Sequence, residues 1–506
     1  MNRRPMLQYK RCNMNTVYIT SRKQWFIASL LLVLQFVPAP SEAETPSNPN
    51  ILFIYLDDLG YGDVNCLNPD SKIPTPNIDR IAREGMHFTD AHCVGSVCGP
   101  SRYALLTGRY PWRRGKGGMG NGAKFRDLYM ETDRPTLASL LKEKAYNTGQ
   151  FGKWGLRHNY SDTVLPGLTP GDLDAYDFEN NKLLGAQLVG FDYSWCISYL
   201  DKQDSNIKVQ FENGSPLDPS LTPNEPYRWL PDSVEKVVEY LEVYGGKKRN
   251  DAFAIDSENP FFIYWDPPSP HDPVVPNTPF IGKTEAGAYG DFVFEIDHYI
   301  GRFLDTLDQL NLAEHTLVIF ASDNGPDNSA YERINEFDHY SMGERRGIKT
   351  DVFESGHRVP LIVRWPGVIE PGMRNDNLVS LTDWFTTFAD ITRQPLPSNA
   401  PEDSLSFFPL LLGNPSAPPK RKSMIHNSTK GVFALRSGDW LFIDDAAPPA
   451  SEPEWYRGAK NVRPSKYPAQ LYNLKDDPTQ SVNLYERHPE KVQDMQQQLR
   501  EKTRLN

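Results

Sequence analysis

Four apolar runs recur along the chain, at residues 50–56, 260–265, 316–322 and 359–365. Each is short and unbroken, the pattern of a strand buried on both faces. A further short strand is predicted at residues 147–151. Helical stretches lie between them. Residues 76–84 form one, stopped by Gly85. Residues 136–144 place Leu137, Leu140 and Leu141 on one side, and residues 231–244 space Val234, Val237, Val238 and Leu241 at helical intervals. Residues 291–310 carry an apolar stripe from Phe292 through Ile296, Ile300 and Phe303 to Leu310, read as core. The pattern weakens between residues 159 and 227, apart from a hairpin turn at Asn213-Gly214. Strand and helix otherwise alternate to about residue 394. That alternation predicts an α/β fold, a large and mostly parallel sheet sandwiched by helices. Residues 395–404 and 412–420 are proline-rich and polar, as linkers are. A hairpin at 431–443 and a polar helix at 488–499 then predict a smaller C-terminal α+β subdomain. The expected boundaries are 44–410 for the large domain and 411–506 for the subdomain.

The polar residues that change this picture fall at strand ends. Asp57-Asp58, Gly152-Lys153, His271 and Asp323-Asn324 each follow a separate predicted strand. In a parallel sheet those ends share one edge, where ligands collect. Adjacent carboxylates at the end of a buried strand repel unless a cation or hydrogen bonds hold them. Asp57, Asp58, Asp323 and Asn324 offer oxygen alone, which suits one hard divalent cation, Ca²⁺ or Mg²⁺. Zn²⁺ would want a His and Cys cluster that the spacing does not offer. Arg102, Lys153, His271 and Lys349 add positive charge and donors. The set suits a tetrahedral anion whose charge is neutralised while an oxygen leaves.

The stretch from Cys98 to Arg109 reads as a loop that turns into a helix. Pro100 suits the first helical position and Gly108 can end the helix. Cys98 then lies at the helix's positive end, a place that favours an anion on it or beside it. Arg102, one turn in, is predicted to reach back with a planar fork suited to an oxyanion.

A length of 506 residues allows one large or two medium domains. The net charge of −11 argues against general nucleic-acid binding but leaves room for a small basic pocket. Residues 1–43 read as an export signal: Ser21-Arg22-Lys23, an apolar stretch at 25–37 too short to span a membrane, and Ser41-Glu42-Ala43 for cleavage. Met14 is an alternative start. An exported protein, periplasmic or extracellular and not integral to a membrane, is expected. That location and the flexible strand-end ligands favour Ca²⁺ over Mg²⁺. Cys66, Cys93, Cys98 and Cys196 remain after the signal, too few for a disulfide framework.

Cys98-x-Pro100-Ser101-Arg102, followed by Leu106-Thr107-Gly108-Arg109, resembles the signature of the type I sulfatase family. The resemblance runs from about residue 49 to residue 484. Gly152-Lys153-Trp154 is similar to the family's lysine motif and Pro270-His271-x-Pro273 to its sulfate-side histidine. Arg346-Gly347-Ile348-Lys349 is similar to its catalytic-lysine segment, and Leu471-Tyr472-Asn473-Leu474 to its C-terminal signature. The resemblance implies an alkaline-phosphatase-like fold and hydrolysis of sulfate monoesters. It implies that a maturation enzyme converts Cys98 to formylglycine, and that Asp57, Asp58, Asp323, Asn324 and position 98 hold the cation. Hydrated formylglycine would attack sulfur and His271 or Lys349 would protonate the leaving oxygen. The remaining hydroxyl would then collapse to release sulfate. Arg102, Lys153 and Lys349 would hold the charged groups, with Glu354 and Arg358 structural. An exported enzyme of this kind is expected to meet a sulfated glycan. The alternatives are a phosphate or phosphonate ester hydrolase of the same architecture and an inactive carbohydrate-binding homologue. Two departures stand out. The family often has a histidine where this chain has Gly155; His158, three residues on, is read as a surface residue with another group or water taking the proton, and the alternative is that the loop folds back at Gly155 and His158 is the substitute base. The family also often has a serine after the segment matching residues 190–193, where only Ser194 and Ser198 are near.

Overall fold

The computed structural model describes residues 48–114, 128–168, 175–200, 208–218, 220, 225–414, 421–446, 452–462 and 465–503. The expected export signal and most of the expected linker at 412–420 lie outside them. No helix among the described residues is long and apolar enough to cross a membrane.

The strand Asn50–Leu56 sits near the middle of a ten-stranded sheet. It pairs in parallel with Phe261–Asp266 on one side and Thr316–Ser322 on the other. Asn147–Gly152 and Tyr193–Tyr199 extend the parallel set beyond Phe261–Asp266. Side chains of the central strand alternate between two cores. Ile51, Phe53 and Tyr55 enter one; Leu52, Ile54 and Leu56 enter the other. Helices Pro226–Tyr244 and Gly287–Gln309 cover the second face, and Leu137–Lys142 and Trp384–Ile391 the first. Burial on both faces explains why these strands are continuously apolar.

The margins depart from the parallel pattern. Leu361–Arg364 runs antiparallel to Thr316–Ser322, and Lys208–Glu212 runs antiparallel to Tyr193–Tyr199. The strand Tyr193–Tyr199 falls where the sequence pattern was weakest. It does alternate, with Tyr193, Trp195 and Ile197 in the second core and Ser194, Cys196 and Ser198 opposite. Asn213 and Gly214 form the expected turn, both with positive φ, at 48° and 80°.

The helix predicted from residue 231 begins at Pro226, and Pro231 lies inside it. Proline removes the bond to the carbonyl four residues back. That carbonyl, Tyr227 O, accepts instead from Asn277 Nδ2 at 3.0 Å. Beyond residue 420, strands Ser423–Asn427, Phe433–Ser437, Trp440–Ile443 and Gln470–Asn473 form an antiparallel sheet. The helix Pro489–Thr503 packs on it through Val492, Met495 and Leu499. Cys66, Cys93, Cys98 and Cys196 are all free.

Where a short strand pair, Ala91–His92 with Val379–Ser380, meets the C-terminal sheet, His92, His357 and His426 are wholly buried together. His357 and His426 stack with ring centroids 3.4 Å apart, and His92 Nδ1 lies 3.0 Å from His357 Nδ1. Burial pushes all three below the usual histidine range, His357 to about 3. Asp90, Glu354, Arg358 and Arg436 face the cluster. Below about pH 6.5 the unfolded chain takes up protons that the folded chain refuses. Stability is therefore full above that pH and falls as the pH drops towards 3, by up to about 1.4 kcal/mol per pH unit for each histidine. The melting temperature is expected to fall between about pH 7 and pH 5, and His357→Gln to flatten that slope. An unchanged slope in the variant would assign the acid sensitivity to other groups.

Candidate active site

One edge of the sheet gathers the expected residues. Asp57 and Asp58 leave the strand Asn50–Leu56, and Asp58 turns the chain with φ 70°. Asp323 and Asn324 leave Thr316–Ser322, tied back by Asp323 N donating to Leu56 O at 3.0 Å. Lys153 follows Asn147–Gly152, and His271 follows Phe261–Asp266. Asp57 N donates to Ser269 O at 3.1 Å, which docks the His271 loop beside the aspartates. The helix Cys98–Thr107 brings Cys98 and Arg102, and Gly108 closes it in the left-handed conformation. Lys349 comes from an irregular loop, anchored by its N–H on Pro326 O at 2.8 Å.

Lys153 Nζ donates to Asp57 Oδ2 and lies 3.7 Å from Cys98 Sγ. Lys349 Nζ donates to Asp58 Oδ2 at 2.7 Å. His271 Nε2 lies 3.7 Å from the same oxygen. His271 Nδ1 faces Asp272 O at 2.9 Å. A carbonyl only accepts, so Nδ1 carries the hydrogen and Nε2 is left facing the site. All of the predicted site residues therefore converge.

Arg102 departs from expectation. Its side chain is wholly buried, and its fork faces carboxylates rather than open space for an oxyanion. Nε and Nη2 donate to Asp323 Oδ2 at 3.1 and 2.9 Å, and Nη1 donates to Lys153 O at 3.0 Å and to Asp266 Oδ2 at 3.3 Å. Arg102 thus holds the acidic cluster in shape. Asp266 was not singled out in the sequence, although it ends an apolar strand just as the other acids follow theirs. Its second oxygen accepts from Gln150 Nε2 at 2.7 Å, and Gln150 Oε1 accepts from Ser194 Oγ at 2.7 Å. A buried polar chain so runs from Ser194 to Asp323.

The electrostatics follow from burial against charge. Burial would raise Asp57, but Lys153 above all, with His271, Arg102 and Lys349, holds it well below the usual carboxylate range. Asp323 is pushed up to about 7 by burial and by Asp57. Burial opposes charge on Lys349, yet Cys98, Asp58 and Asp57 around it prevail and keep it cationic. The Cys98 thiol is raised, because burial outweighs the nearby Lys153 and Lys349. The helix end does not make this thiol an anion.

The acidic cluster fits a cation. Asp57 Oδ1 and Asn324 Oδ1 are buried oxygens with no hydrogen-bond partner. Ligand atoms of Asp57, Cys98 and Asp323 lie within 4.8 Å of one another. Asn324 Nδ2 donates to Asp58 Oδ1 at 2.7 Å, which turns its own oxygen away from Asp58. Orphaned buried oxygens are rare unless an ion or water meets them, and the oxygens of Asp57, Asp58, Asp323 and Asn324 match a hard divalent ion, beside which the Cys98 sulfur is the one soft atom.

The family model described as Sulfatase matches residues 49–394. The chain belongs to the sulfatase family. This sulfatase is 32% identical to an N-acetylgalactosamine-6-O-sulfatase of Bacteroides thetaiotaomicron, over 90% of its own length and 93% of the relative's. It is also 32% identical to arylsulfatase A of Homo sapiens, over 86% and 83% of the two chains. A solved structure described under metabolism of multiple glycosaminoglycans by Bacteroides thetaiotaomicron superposes with a TM-score of 0.76 at 30% identity, covering 90% of this chain and all of that one.

The two departures now have positions. Gly155 has φ 70°, and a Cβ there would come within 2.8 Å of Arg102 Cδ. A side chain at this position would displace Arg102. His158 is neither on the surface nor at the site. It is buried beside Cys196 Sγ (3.6 Å) and Ser198 Oγ (3.4 Å), edge-on to Tyr160, and burial pushes it down to about 3. Ser198 also meets Tyr160 OH at 3.0 Å, while Ser194 serves the Gln150–Asp266 chain. His158→Ala is expected to lower stability by about 1–3 kcal/mol and to leave turnover per folded molecule within about twofold. A loss of about 10²-fold, the scale of a missing general base, would restore His158 to the reaction.

Proposed function

We propose that this protein is an exported hydrolase of sulfate monoesters on a sulfated carbohydrate, acting through formylglycine made from Cys98 by a maturation enzyme. The observation that carries the reading is the position of Cys98, at a helix start with Lys153 Nζ 3.7 Å away and the acidic cluster behind. In this reading residues 44–410 are the catalytic domain and 411–506 the C-terminal subdomain. The raised thiol argues against cysteine itself as the working nucleophile.

Asp57, Asp58, Asp323 and Asn324, with position 98, would hold one divalent cation. When bound, it supplies Lewis acidity and positive charge beside the nucleophile. Ca²⁺ is the preferred ion, since ligands drawn from separate strand ends suit its looser coordination. The protein's own groups divide the remaining work. Lys153 and Lys349, held on Asp57 and Asp58, present ammonium groups to the sulfate oxygens. They act in a largely dry site, where such charges are worth more than in water. His271, its orientation set by the Nδ1–H bond to Asp272 O, would give a proton from Nε2 to the departing alcohol oxygen only as the imidazolium, in which both ring nitrogens carry hydrogen, with Lys349 as the second donor. Arg102 keeps Asp323 in place and touches no substrate.

The test is sulfate release from a panel of sulfated oligosaccharides, beginning with 6-O-sulfated N-acetylgalactosamine, against matched aryl sulfate and aryl phosphate esters. Release from at least one glycan, with aryl sulfate preferred over aryl phosphate, is the expected result. Turnover of phosphate or phosphonate esters alone would overturn the reading.

A further inference from the structure

A second polar cavity of about 200 Å³ lies where Arg345, Arg358 and Glu354 of the large sheet's loops meet Arg436, Asp439 and Lys475 of the C-terminal sheet. The volume is several times the roughly 30 Å³ that a water takes up in liquid. Its floor is a balanced box. Arg358 Nη1 lies 3.0 Å from Asp90 Oδ1 and 2.9 Å from Glu354 Oε2, and Arg436 lies 3.3 Å from Asp90 and 3.4 Å from Glu354. Two guanidinium groups so share two carboxylates.

Outside that box the lining holds Arg345 and Lys475 against the one carboxylate of Asp439, which leaves one positive charge in excess. The Arg345 guanidinium stacks over Tyr61, 4.4 Å from the ring centroid, and the Arg358 guanidinium lies 5.7 Å from the same ring. Among the described residues no carboxylate comes within ion-pair distance of Arg345, and Lys475 at the exposed rim is likewise unpaired. Burial, and then the like charge of Arg358, pull Arg345 down to about 10. Arg358 is already engaged, with Nε and Nη2 donating to Thr89 O and Nη1 meeting Asp90 and Glu354. The open fork is therefore that of Arg345, and a planar fork of this kind suits an oxyanion through paired charge-assisted bonds.

We propose that this cavity binds a small oxyanion, a sulfate or carboxylate group, on the open fork of Arg345 with Lys475 at the mouth. It is separate from the Cys98 site. None of the residues lining the cavity belongs to the acidic cluster or is Cys98, Lys153, His271 or Lys349. The shared chemistry has two sources, free inorganic sulfate or a second anionic group of a glycan. The proposal stands apart from the proposed reaction, because binding is read without turnover.

Crystals of the full chain soaked in sodium selenate, measured at the selenium edge, provide the test. The expected map has an anomalous peak in the cavity, lost in Arg345→Met and weakened in Lys475→Met, with selenate at the Cys98 site unaffected. Lys475 lies at the rim, so its variant is a check should Arg345→Met fold poorly. No cavity peak at saturating selenate, or a peak that survives Arg345→Met, would overturn the proposal. With the peak present, KM names the source. A several-fold rise in Arg345→Met for a sulfated oligosaccharide carrying a second anion, with none for an aryl sulfate, assigns the pocket to the glycan. No change for either assigns it to the free ion. An equal rise for both would show that Arg345 acts through the catalytic site and would overturn a separate pocket.

Discussion

Cys98→Ser is expected to retain the fold and lose multiple turnover, by about 10⁴-fold or more in kcat, the scale on which loss of an essential nucleophile acts. Cys98 begins the helix Cys98–Thr107 and is only partly buried, so serine fits its space. The loss would come from chemistry. A serine hydroxyl has one oxygen to attack with and none left whose collapse could expel sulfate. A single equivalent of alcohol per protein, followed by arrest, is the expected time course, read by stopped-flow with a chromogenic aryl sulfate. Sustained turnover in Cys98→Ser would show that position 98 is not the nucleophile.

Asp323→Ala is expected to remove cation binding and activity together, and to destabilise the protein by about 3–5 kcal/mol, as when one partner of a buried ion pair is deleted. Asp323 Oδ2 accepts two bonds from wholly buried Arg102, which would be left with Asp266, Lys153 O and a longer 3.8 Å approach to Asp57. Asp323→Asn separates the two effects. Its amide oxygen can still accept from Arg102, so it should fold well while binding the cation weakly. In the unaltered protein, saturating Ca²⁺ at about 100 times Kd should add about 2.7 kcal/mol of stability. That gain should vanish in both variants. Elemental analysis should find Ca²⁺ or Mg²⁺ in the parent protein, and stoichiometric Zn²⁺ with full activity would show the oxygen-ligand assignment to be wrong.

The central strands were legible because their reason for being apolar is local. Asn50–Leu56 and Thr316–Ser322 are buried along their whole length, and no other element type needs such a run at that length. The acids at their ends were legible by the same logic, since a carboxylate there lies at the ligand-bearing edge. Three features were not. Tyr193–Tyr199 alternates aromatic and small polar residues, and its polar side becomes meaningful only once Ser194 meets Gln150, 44 residues away. Pro231 argued for a helix start, and only Asn277 on the freed Tyr227 carbonyl makes an interior proline tolerable. The direction of the Arg102 fork depends on Asp323 and Asp266, 221 and 164 residues along the chain. Side-chain pairings over such separations leave no periodic trace. His158 illustrates the same limit, because proximity to Gly155 in sequence said nothing of its place beside Cys196.

The most direct test of the account is mass spectrometry of the peptide containing Cys98, on protein fractions of graded specific activity produced with and without a formylglycine-generating enzyme. The account predicts that sulfate-ester turnover rises in proportion to the fraction of position 98 carrying the aldehyde and vanishes where the thiol is intact. Full activity in protein whose Cys98 is entirely unmodified would contradict it.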